Sequence, residues 1–258
     1  MCWRHQPWRA WLDLAERLDL RVALVPDGDQ WRVRLTPLAA HTALPAPRAD
    51  LPHERYGSES SFARISTLDD PTLLVDLDDA LTRLALPPGA RVLELGCGTG
   101  AFAAWLRGRR PDVVFVGVDH SASALAAARA VDPTGTFVER DLAAPAGLTD
   151  LGRFDLIVAI GVLQTRDLDD RDLVQRVVTN HLTPAGGVLL GVPNCRYRDG
   201  ELRPGARQKN YTQPELGLVV RDLAYYRRYL QQKRRRVFIT GRHTLLVTAV
   251  VDGATATS

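Results

Sequence analysis

Three glycines and an acid stand at a spacing that suits a ligand site. The stretch VLELGCGTG runs from apolar residues into Gly96, Gly98 and Gly100, and a glycine-rich turn between a strand and a helix lets a ligand approach bare backbone N–H groups. With Ala101, the glycines satisfy the dinucleotide pattern G-x-G-x-x-[GA], and Asp119 lies about twenty residues on, where that pattern expects a ribose-binding acid. A tight turn that serves only helix packing is the alternative for these glycines.

Two more acids accompany the predicted strands. Glu94 stands two residues before the first glycine, Asp119 ends the strand in VGVDHS, and Asp141 follows the strand in FVERDL. The carboxyl ends of neighbouring parallel strands meet at one edge of a sheet, where open α/β sheets bind ligands. Asp119 and Asp141 could instead be helix N-caps, because Asp is common just before a helix.

The elements that must position these residues alternate between strand and helix. After a predicted helix in LLVDLDDALTRLAL, short apolar runs typical of buried strands recur with helix-forming segments between them. The predicted strands are ARVLEL, DVVFVGV, GTFVER, FDLIVAI and GGVLLGV, and the predicted helices between them are AFAAWLRGRR, SASALAAARAV and LDDRDLVQRVVTNHL. This order predicts a parallel sheet with helices on both faces. A helix over roughly residues 213–232 follows, and the short link GRH between RVFIT and TLLVTAVV predicts a closing antiparallel hairpin.

The amino-terminal part differs from this pattern. PWRAWLDLAERLDL spaces its apolar residues as an amphipathic helix over residues 7–19, and RVALV and WRVRL flank the turn signal Asp27-Gly28 as a hairpin. The segment that follows carries four prolines and little periodicity, which is typical of a linker. The predicted organisation is a helix-and-hairpin unit (1–38), a linker (39–57) and the main domain (58–258).

Composition excludes several classes of protein. The 258 residues are 45% hydrophobic and carry 33 Lys and Arg against 30 Asp and Glu, a net charge of +3, so the chain can bury one sizeable core and its total charge implies no polyanion partner. Cys2, Cys97 and Cys195 form no CxxC pair and support neither a disulfide framework nor a zinc site. No apolar run approaches the ~20 residues of a membrane span, and the amino terminus lacks the apolar region of a signal peptide. We expect a cytoplasmic protein with no bound metal and no membrane contact.

The motifs together resemble those of the class I S-adenosylmethionine-dependent methyltransferases. VLELGCGTG is similar to the first motif of that family, VGVDHS to its acidic second motif, and FDLIVAIGVLQ to the strand that borders the transferred methyl group. LTPAGGVLLGVPN resembles the following turn and fifth strand, and the closing hairpin matches the antiparallel seventh strand of the family. The likeness covers about residues 60–250, with the motifs in order. It implies a Rossmann-like, seven-stranded, mostly parallel sheet with an antiparallel last strand, and S-adenosylmethionine as the cofactor.

The resemblance also implies roles for the glycines and for two of the acids. Gly96, Gly98 and Gly100 would pass under the amino-acid and ribose portion of the cofactor, and Glu94 would position that turn or the ammonium group. Asp119 would accept hydrogen bonds from both ribose hydroxyls, which is a strong and directional anchor. The loop carries no Lys or Arg, which agrees with a cofactor that has no phosphate groups.

The remaining implied cofactor contacts lie on the next strands. Asp141 would accept a hydrogen bond from the adenine amine, with His120 and Leu142 as neighbours. The backbone around Ile160 and Gly161 would face the sulfur that bears the methyl group.

Methyl transfer is an in-line displacement that requires the acceptor to be aligned and water excluded, so a general base is optional. Polar residues near the predicted mouth of the site are Tyr56, His120, Gln164, Asp167, Asn194 and Tyr211. Of these we predict Tyr56, Gln164, Asn194 and Tyr211 as substrate contacts, and we assign no catalytic residue. We favour His120 as a cofactor contact or a surface residue over a base, because no partner carboxylate is identified for it.

Two features near the end of the main domain have more than one interpretation. Cys195 is interpreted as an incidental or buried thiol rather than the nucleophile of a pyrimidine C5 enzyme, since no companion motif surrounds it. The polar segment between Pro193 and Tyr211 is long for a loop between a strand and a helix, which suits a lid that faces the substrate.

Basic residues and tyrosines alternate between Arg221 and Arg236, a segment that we call the Arg–Tyr stripe. Its members are Arg221, Tyr225, Tyr226, Arg227, Arg228, Tyr229, Lys233, Arg234, Arg235 and Arg236. Such a stripe could track the phosphate backbone of RNA while the tyrosines stack on bases. We favour a solvated helix face that places cations near a helix carboxyl terminus.

The sequence therefore predicts an S-adenosylmethionine-dependent methyltransferase. A small-molecule acceptor is favoured, RNA through the Arg–Tyr stripe is the second choice, and no oligomeric state is implied. Two other hypotheses stay open: an NAD-dependent oxidoreductase with a Rossmann fold, and a non-catalytic cofactor-binding module. The closing hairpin and Glu94 argue against the first, and only the intact cofactor motif argues against the second.

Overall fold

A computed structural model of the protein describes residues 8–18, 20–37, 68, 70–144, 147–165, 168–198, 201–204 and 216–251. These residues fall into two compact units, one of residues up to 37 together with 196–198 and 201–204, and one of the remaining described residues. The domain boundaries predicted near residues 38 and 58 lie outside the described ranges and stay a prediction.

The first unit contains the predicted helix and hairpin. Helix α1 (Trp8–Leu18) is followed by the antiparallel strands β1 (Leu20–Asp27) and β2 (Gln30–Pro37). Asp27 pairs with Gln30, so the turn between the strands has two residues, as the Asp-Gly signal predicts.

The second unit alternates between helix and strand, and its elements follow one another in the predicted order. They begin with α2 (Pro71–Leu84), β3 (Arg91–Leu95), α3 (Ala101–Arg109), β4 (Val114–Asp119), α4 (Ala122–Val131), β5 (Thr136–Glu139), β6 (Phe154–Ile160), α5 (Asp170–Asn180) and β7 (Leu182–Pro193). After β7 the chain forms β8 (Cys195–Arg198), which lies mostly in the first unit, and β9 (Glu201–Pro204), which lies wholly in it. The second unit then continues with α6 (Leu216–Gln232), β10 (Arg235–Gly241) and β11 (Thr244–Val251).

Seven of these strands form one sheet in the order β10-β11-β7-β6-β3-β4-β5. The pairs among β3, β4, β5, β6 and β7 are parallel, whereas β11 is antiparallel to both β7 and β10. The predicted fold class, a Rossmann-like mostly parallel sheet with an antiparallel last strand, is confirmed.

Both faces of the sheet are buried, because side chains along each strand alternate between two cores. In β6, Leu156 and Val158 join the core formed with α2, α3 and α4, while Ile157 and Ala159 join the core formed with α5 and α6. All four side chains are fully buried. The loops at the carboxyl edge are thus held by strands that are fixed from both sides.

The segment after β7 contains two strands, where the sequence predicts a long loop between a strand and a helix. Strands β8 and β9 pair as a separate two-stranded sheet, which the polar composition between residues 195 and 204 conceals. Residues 205–211 of the predicted lid lie outside the described residues, so its role stays a prediction.

Candidate active site

The carboxyl ends of β4, β3, β6 and β7 stand side by side and bring the predicted cofactor residues to one edge of the sheet. Leu95 pairs with Val118, and Ile160 pairs with Gly191. The glycine loop after β3 therefore lies between Asp119 at the end of β4 and Gly161 after β6. This is the edge where parallel α/β sheets bind their ligands.

Backbone hydrogen bonds fix the glycine loop on β4. The N–H groups of Gly96 and Cys97 both donate to the carbonyl oxygen of Val118, at 2.8 Å and 3.0 Å. Gly96 has a φ of +69°, and a Cβ at this position would stand 2.7 Å from Cγ2 of Val162. Only glycine fits at position 96, because the backbone is left-handed there and a side chain would collide with Val162. The need for helix packing is therefore not the full reason for a glycine at this position.

Asp119 joins the loop after β4 to the glycine loop. Its side chain is buried, with Oδ2 accepting a hydrogen bond from Gly98 N–H at 2.9 Å and Oδ1 accepting one from Ser121 N–H at 3.0 Å. The N-cap of α4 is Ser121, whose hydroxyl accepts from Ala124 N–H. The alternative that Asp119 caps this helix is therefore wrong.

Glu94 has a buried carboxyl group with an unmet hydrogen-bonding requirement. Its side chain is 5% exposed on β3, and its Oε2 has no hydrogen-bond partner among the described residues. Burial, and then the charge of Asp119, raise the pKa of Glu94 well above its ordinary value of 4.5. An orphaned buried carboxylate is costly, so the site fits a ligand that brings a donor or a positive charge. The carboxylate oxygens of Glu94 and Asp119 are hydrogen-bond acceptors and thus suit an ammonium and hydroxyl groups rather than phosphates.

The other predicted adenine-side residues lie near Asp119 but differ in exposure. His120 is exposed, with its Nδ1 3.4 Å from Oδ1 of Asp119. Asp141 is also exposed and accepts a hydrogen bond from Ala143 N–H at 2.9 Å in a turn. Leu142 packs into the core beside α5. Asp119 and Asp141 follow adjacent strands, but the cofactor roles of all these residues stay predictions.

Gly161 lies at the centre of the edge, between the glycine loop and β7. Its N–H donates to Gly191 O at 3.1 Å, and its φ is +75° with no atom near the position of a Cβ. The space beside the Cα atom of Gly161 is therefore open, and the contact of the Ile160–Gly161 backbone with the methyl-bearing sulfur stays a prediction.

Two of the four predicted substrate residues fall within the described structure. Gln164 is buried in the loop after β6, and Asn194 follows β7 and donates from its backbone N–H to His243 O at 2.7 Å. Tyr56 and Tyr211 lie outside the described residues, as does Asp167. The structure thus places Gln164 and Asn194 after neighbouring strands, and their substrate roles stay predictions.

One pair that the sequence analysis missed lies at the same edge. Nδ1 of His243, in the turn between β10 and β11, is 3.2 Å from Oδ2 of Asp70, the N-cap of α2. The signals were the Asp-Pro step that starts a helix and the GRH link between two strands. They predict where each residue lies, but not that residues 173 positions apart meet.

Four of the ten members of the Arg–Tyr stripe pack against neighbouring residues, whereas the other six, all basic, are exposed. Tyr226 is fully buried and donates from its hydroxyl to Oδ2 of Asp170 at 2.5 Å. Tyr225 and Tyr229 stack on each other with ring centroids 6.3 Å apart. Arg235 is buried and donates to the carbonyl oxygens of Gly186, Thr183 and Pro184. These residues stabilise the contact of α6 and β10 with α5 and β7, so the stripe is not a uniform basic surface.

Comparison with known proteins agrees with this geometry. Residues 93–189, which include the glycine loop and the acids after β4 and β5, match a family model described as a methyltransferase domain. The chain therefore contains a region similar to a methyltransferase domain, over less than half of its length. The chain is 36% identical over 115 residues to a trans-aconitate 2-methyltransferase of Azoarcus sp. (strain BH72) and 36% identical over 118 residues to one of Variovorax paradoxus (strain S110). The matches cover 45% and 46% of this chain and 44% of each relative, so they span less than half of the relatives' length.

Solved structures share the fold of this chain. The plantazolicin methyltransferase BpumL, in complex with a monoazolic desmethylPZN analog and SAH, aligns with a TM-score of 0.55 at 12% identity over 78% of this chain and 94% of that one. Magnesium protoporphyrin IX methyltransferase (ChlM) from Synechocystis PCC 6803, with bound SAH, aligns with a TM-score of 0.51 at 16% identity over 78% of this chain and 98% of that one. At these identities the likeness concerns the fold. None of the helices in the described part of the chain is both long and apolar enough to span a membrane.

Proposed function

We propose that the protein transfers a methyl group from S-adenosylmethionine to a small-molecule acceptor. The observation that carries this proposal is the buried carboxyl of Glu94, with its unpaired Oε2, beside Asp119 at the carboxyl edge of the sheet. A cationic amino-acid tail would supply the missing donor, because an ammonium donates three hydrogen bonds and compensates a buried negative charge.

The acids along the edge would bind the cofactor in sequence. Glu94 would hold the ammonium group, Asp119 the ribose hydroxyls, and Asp141 the adenine amine. The second lone pairs of the Asp119 oxygens would serve the hydroxyls, since each oxygen already accepts one backbone hydrogen bond. S-adenosylmethionine supplies an electrophilic methyl group on a sulfonium, and the open backbone at Ile160 and Gly161 would face it.

We further propose that the acceptor is a small molecule. The relatives named trans-aconitate 2-methyltransferase support this choice, and trans-aconitate is the first compound to assay. RNA is the less favoured acceptor, because Tyr226 and Arg235 of the Arg–Tyr stripe are buried in packing contacts and cannot reach a nucleic acid.

Calorimetry tests the cofactor directly. The purified protein is titrated with S-adenosylmethionine, with S-adenosylhomocysteine and with NAD, and Glu94→Gln serves as the matched variant. We expect binding of the two methionine-derived ligands, weaker binding by the variant, and no heat from NAD. Binding of NAD alone would favour the oxidoreductase hypothesis. Binding of S-adenosylmethionine without transfer to any acceptor pool would favour a non-catalytic module.

A further inference from the structure

His243 lies at the carboxyl edge of the sheet, the edge that carries the predicted cofactor residues, because of the strand register. Strand β11 runs antiparallel to β7, with Thr244 paired with Pro193, so the turn that precedes Thr244 returns to the carboxyl edge. Asn194 N–H donates to His243 O at 2.7 Å, which joins His243 to the end of β7. Neighbouring strands are about 4.8 Å apart, so His243 lies about two strand spacings from the end of β6.

The turn that carries His243 has a fixed conformation. Gly241 has a φ of +101°, and a Cβ there would lie 2.0 Å from Thr244 O. Asn194 Nδ2 also donates to Arg242 O at 3.1 Å. A side chain that performs chemistry needs a supported position, and this turn supplies one through β7.

The two carboxylate oxygens of Asp70 make different contacts. Oδ1 caps α2 by accepting hydrogen bonds from the N–H and the hydroxyl of Thr72, at 2.9 Å and 2.6 Å. Oδ2 faces Nδ1 of His243 at 3.2 Å. The side chains of Asp70 and His243 are 15% and 18% exposed, so the pair is largely shielded from solvent but not fully buried. Capping alone requires one oxygen, and the second is aimed at the imidazole.

We propose that His243 is the general base of the methyl transfer and that Asp70 is its positioning residue. This inference rests on the proposed function and specifies the acceptor class: a small molecule whose nucleophilic atom carries a proton at neutral pH, namely a hydroxyl, an amine or a thiol. A base oriented by a third group is the arrangement that activates such nucleophiles. When Nδ1–H donates to Asp70, the lone pair of the imidazole is on Nε2.

These groups account for every bond and proton that changes in the transfer step. A lone pair of the acceptor atom forms a bond to the methyl carbon, the carbon–sulfur bond breaks, and its electron pair stays on sulfur, which becomes a neutral thioether. The proton of the acceptor atom passes to Nε2 of His243, and the resulting imidazolium is stabilised by the carboxylate of Asp70. The proton then leaves to solvent before the next turnover.

Charged groups around the pair favour an ionised Asp70. Burial would raise the pKa of Asp70, but hydrogen bonds from Thr72 and the contact with His243 more than offset this and lower its pKa below 3.8. Asp76, on the second turn of α2, interacts with Asp70 through its charge. Arg242 precedes His243 in the turn and is exposed. An ionised Asp70 is what a base that becomes a cation requires.

Two substitutions test the pair while preserving the fold. His243→Gln removes the base, and Asp70→Asn keeps an N-cap oxygen, because Asn caps helices as well as Asp does, but removes the charge. Arg242→Gln, an exposed change in the same turn, is the control. The assay measures transfer of labelled methyl from S-adenosylmethionine into a protein-free metabolite extract of bacteria, and calorimetry measures S-adenosylhomocysteine binding by each variant.

We expect His243→Gln to lower the transfer rate by about 10²–10⁴-fold, the usual contribution of a general base, with unchanged affinity for S-adenosylhomocysteine and with Arg242→Gln active. The wild-type rate should fall at acid pH, because an imidazolium cannot accept a proton. Asp70→Asn should lower kcat while the affinity for S-adenosylhomocysteine stays unchanged, since the imidazolium that forms during transfer loses its counter-charge. A residue that only supports the turn would change the melting temperature without this selective loss of kcat.

The chemistry of the product distinguishes the inference from the proposed function. Mild alkali releases labelled methanol from methyl esters but leaves methyl ethers, methylamines and methyl thioethers intact, so we expect alkali-stable label. Alkali-labile label, from trans-aconitate or another carboxylate, would overturn the role of His243 and leave the methyltransferase proposal standing. Transfer that persists in His243→Gln would do the same. No label in any pool, despite cofactor binding, would contradict both.

Discussion

Oδ2 of Asp119 accepts a hydrogen bond from the backbone N–H of Gly98 at 2.9 Å. This contact joins the acid at the end of β4 directly to the glycine loop that follows β3. The same carboxylate accepts from Ser121 N–H through its other oxygen. A residue expected to bind a ligand therefore also holds the loop over which that ligand would lie.

Replacement of Asp119 should therefore affect stability as well as binding. Asp119→Ala removes two backbone hydrogen bonds to a charged acceptor, each worth ~1.5–3 kcal/mol, so we expect a lower melting temperature without ligand. Affinity for S-adenosylhomocysteine should fall at least about tenfold, because each 1.4 kcal/mol is a factor of ten. Scanning calorimetry and titration calorimetry measure the two effects.

Asp141→Ala is the matched control for that experiment. Asp141 is exposed and accepts one local hydrogen bond, from Ala143 N–H, so the melting temperature should change little while affinity for the adenine-bearing ligand falls. Unchanged affinity in Asp119→Ala, with a lower melting temperature, would assign Asp119 a purely structural role.

The sheet was predictable because its signals are local. The apolar runs from Val92 to Leu95 and from Phe154 to Ile160 are typical of strands buried on both faces, and glycines and prolines mark where they end. The contacts at the site were less predictable, because they join distant parts of the chain. No local pattern indicates that Asp70 meets His243 or that Tyr226 meets Asp170. Strands β8 and β9 were missed because their polar sequence has no alternating apolar face.

The buried carboxyl of Glu94 predicts an unusual dependence of stability on pH. Burial and the charge of Asp119 raise its pKa in the folded protein, so the folded state retains a proton that the unfolded state loses. Stability from this group is greatest below its ordinary pKa of 4.5 and falls as pH rises towards the folded value. Glu94→Gln should therefore raise the melting temperature of the ligand-free protein at pH 7, and the gain should shrink as the pH approaches 4.5.

Thermal unfolding of both proteins over that pH range measures the difference. The same variant should bind S-adenosylmethionine more weakly, since a neutral amide replaces the carboxylate that faces the ammonium. If Glu94→Gln instead lowers the melting temperature at pH 7 as much as at low pH, the carboxyl is not held protonated by burial.

The hydroxyl of Tyr226 should stabilise the contact between α6 and α5. It donates to buried Asp170 at 2.5 Å, and burial together with Asp170 raises the pKa of Tyr226, so the phenol stays protonated. Tyr226→Phe leaves Asp170 without this donor at a cost of ~1–3 kcal/mol, and about 2–4 °C of melting temperature is expected per kcal/mol. Tyr229→Phe is the control, because the Tyr229 hydroxyl makes a long hydrogen bond, of 3.4 Å, to the carbonyl oxygen of Gln175 at an exposed site. Equal melting temperatures for the two variants would contradict a stabilising role for the Tyr226–Asp170 hydrogen bond.

The Arg–Tyr stripe allows a test of the RNA alternative that does not disturb the fold. Arg235 must be spared, because it is buried and donates to three backbone carbonyl oxygens between Thr183 and Gly186. Arg227 and Arg228 on α6 are exposed, so Arg227→Glu with Arg228→Glu reverses exposed charge of the stripe and spares the contacts of Arg235. If the stripe contacted RNA, the logarithm of the affinity would fall with the logarithm of the salt concentration, with a slope of about −0.7 per phosphate contact on a single strand. We expect no such slope beyond that of an unrelated protein of equal net charge, and we expect methyl transfer by the double variant to be unchanged. A steep slope in the wild type that flattens in the double variant would make RNA, rather than a small molecule, the favoured acceptor.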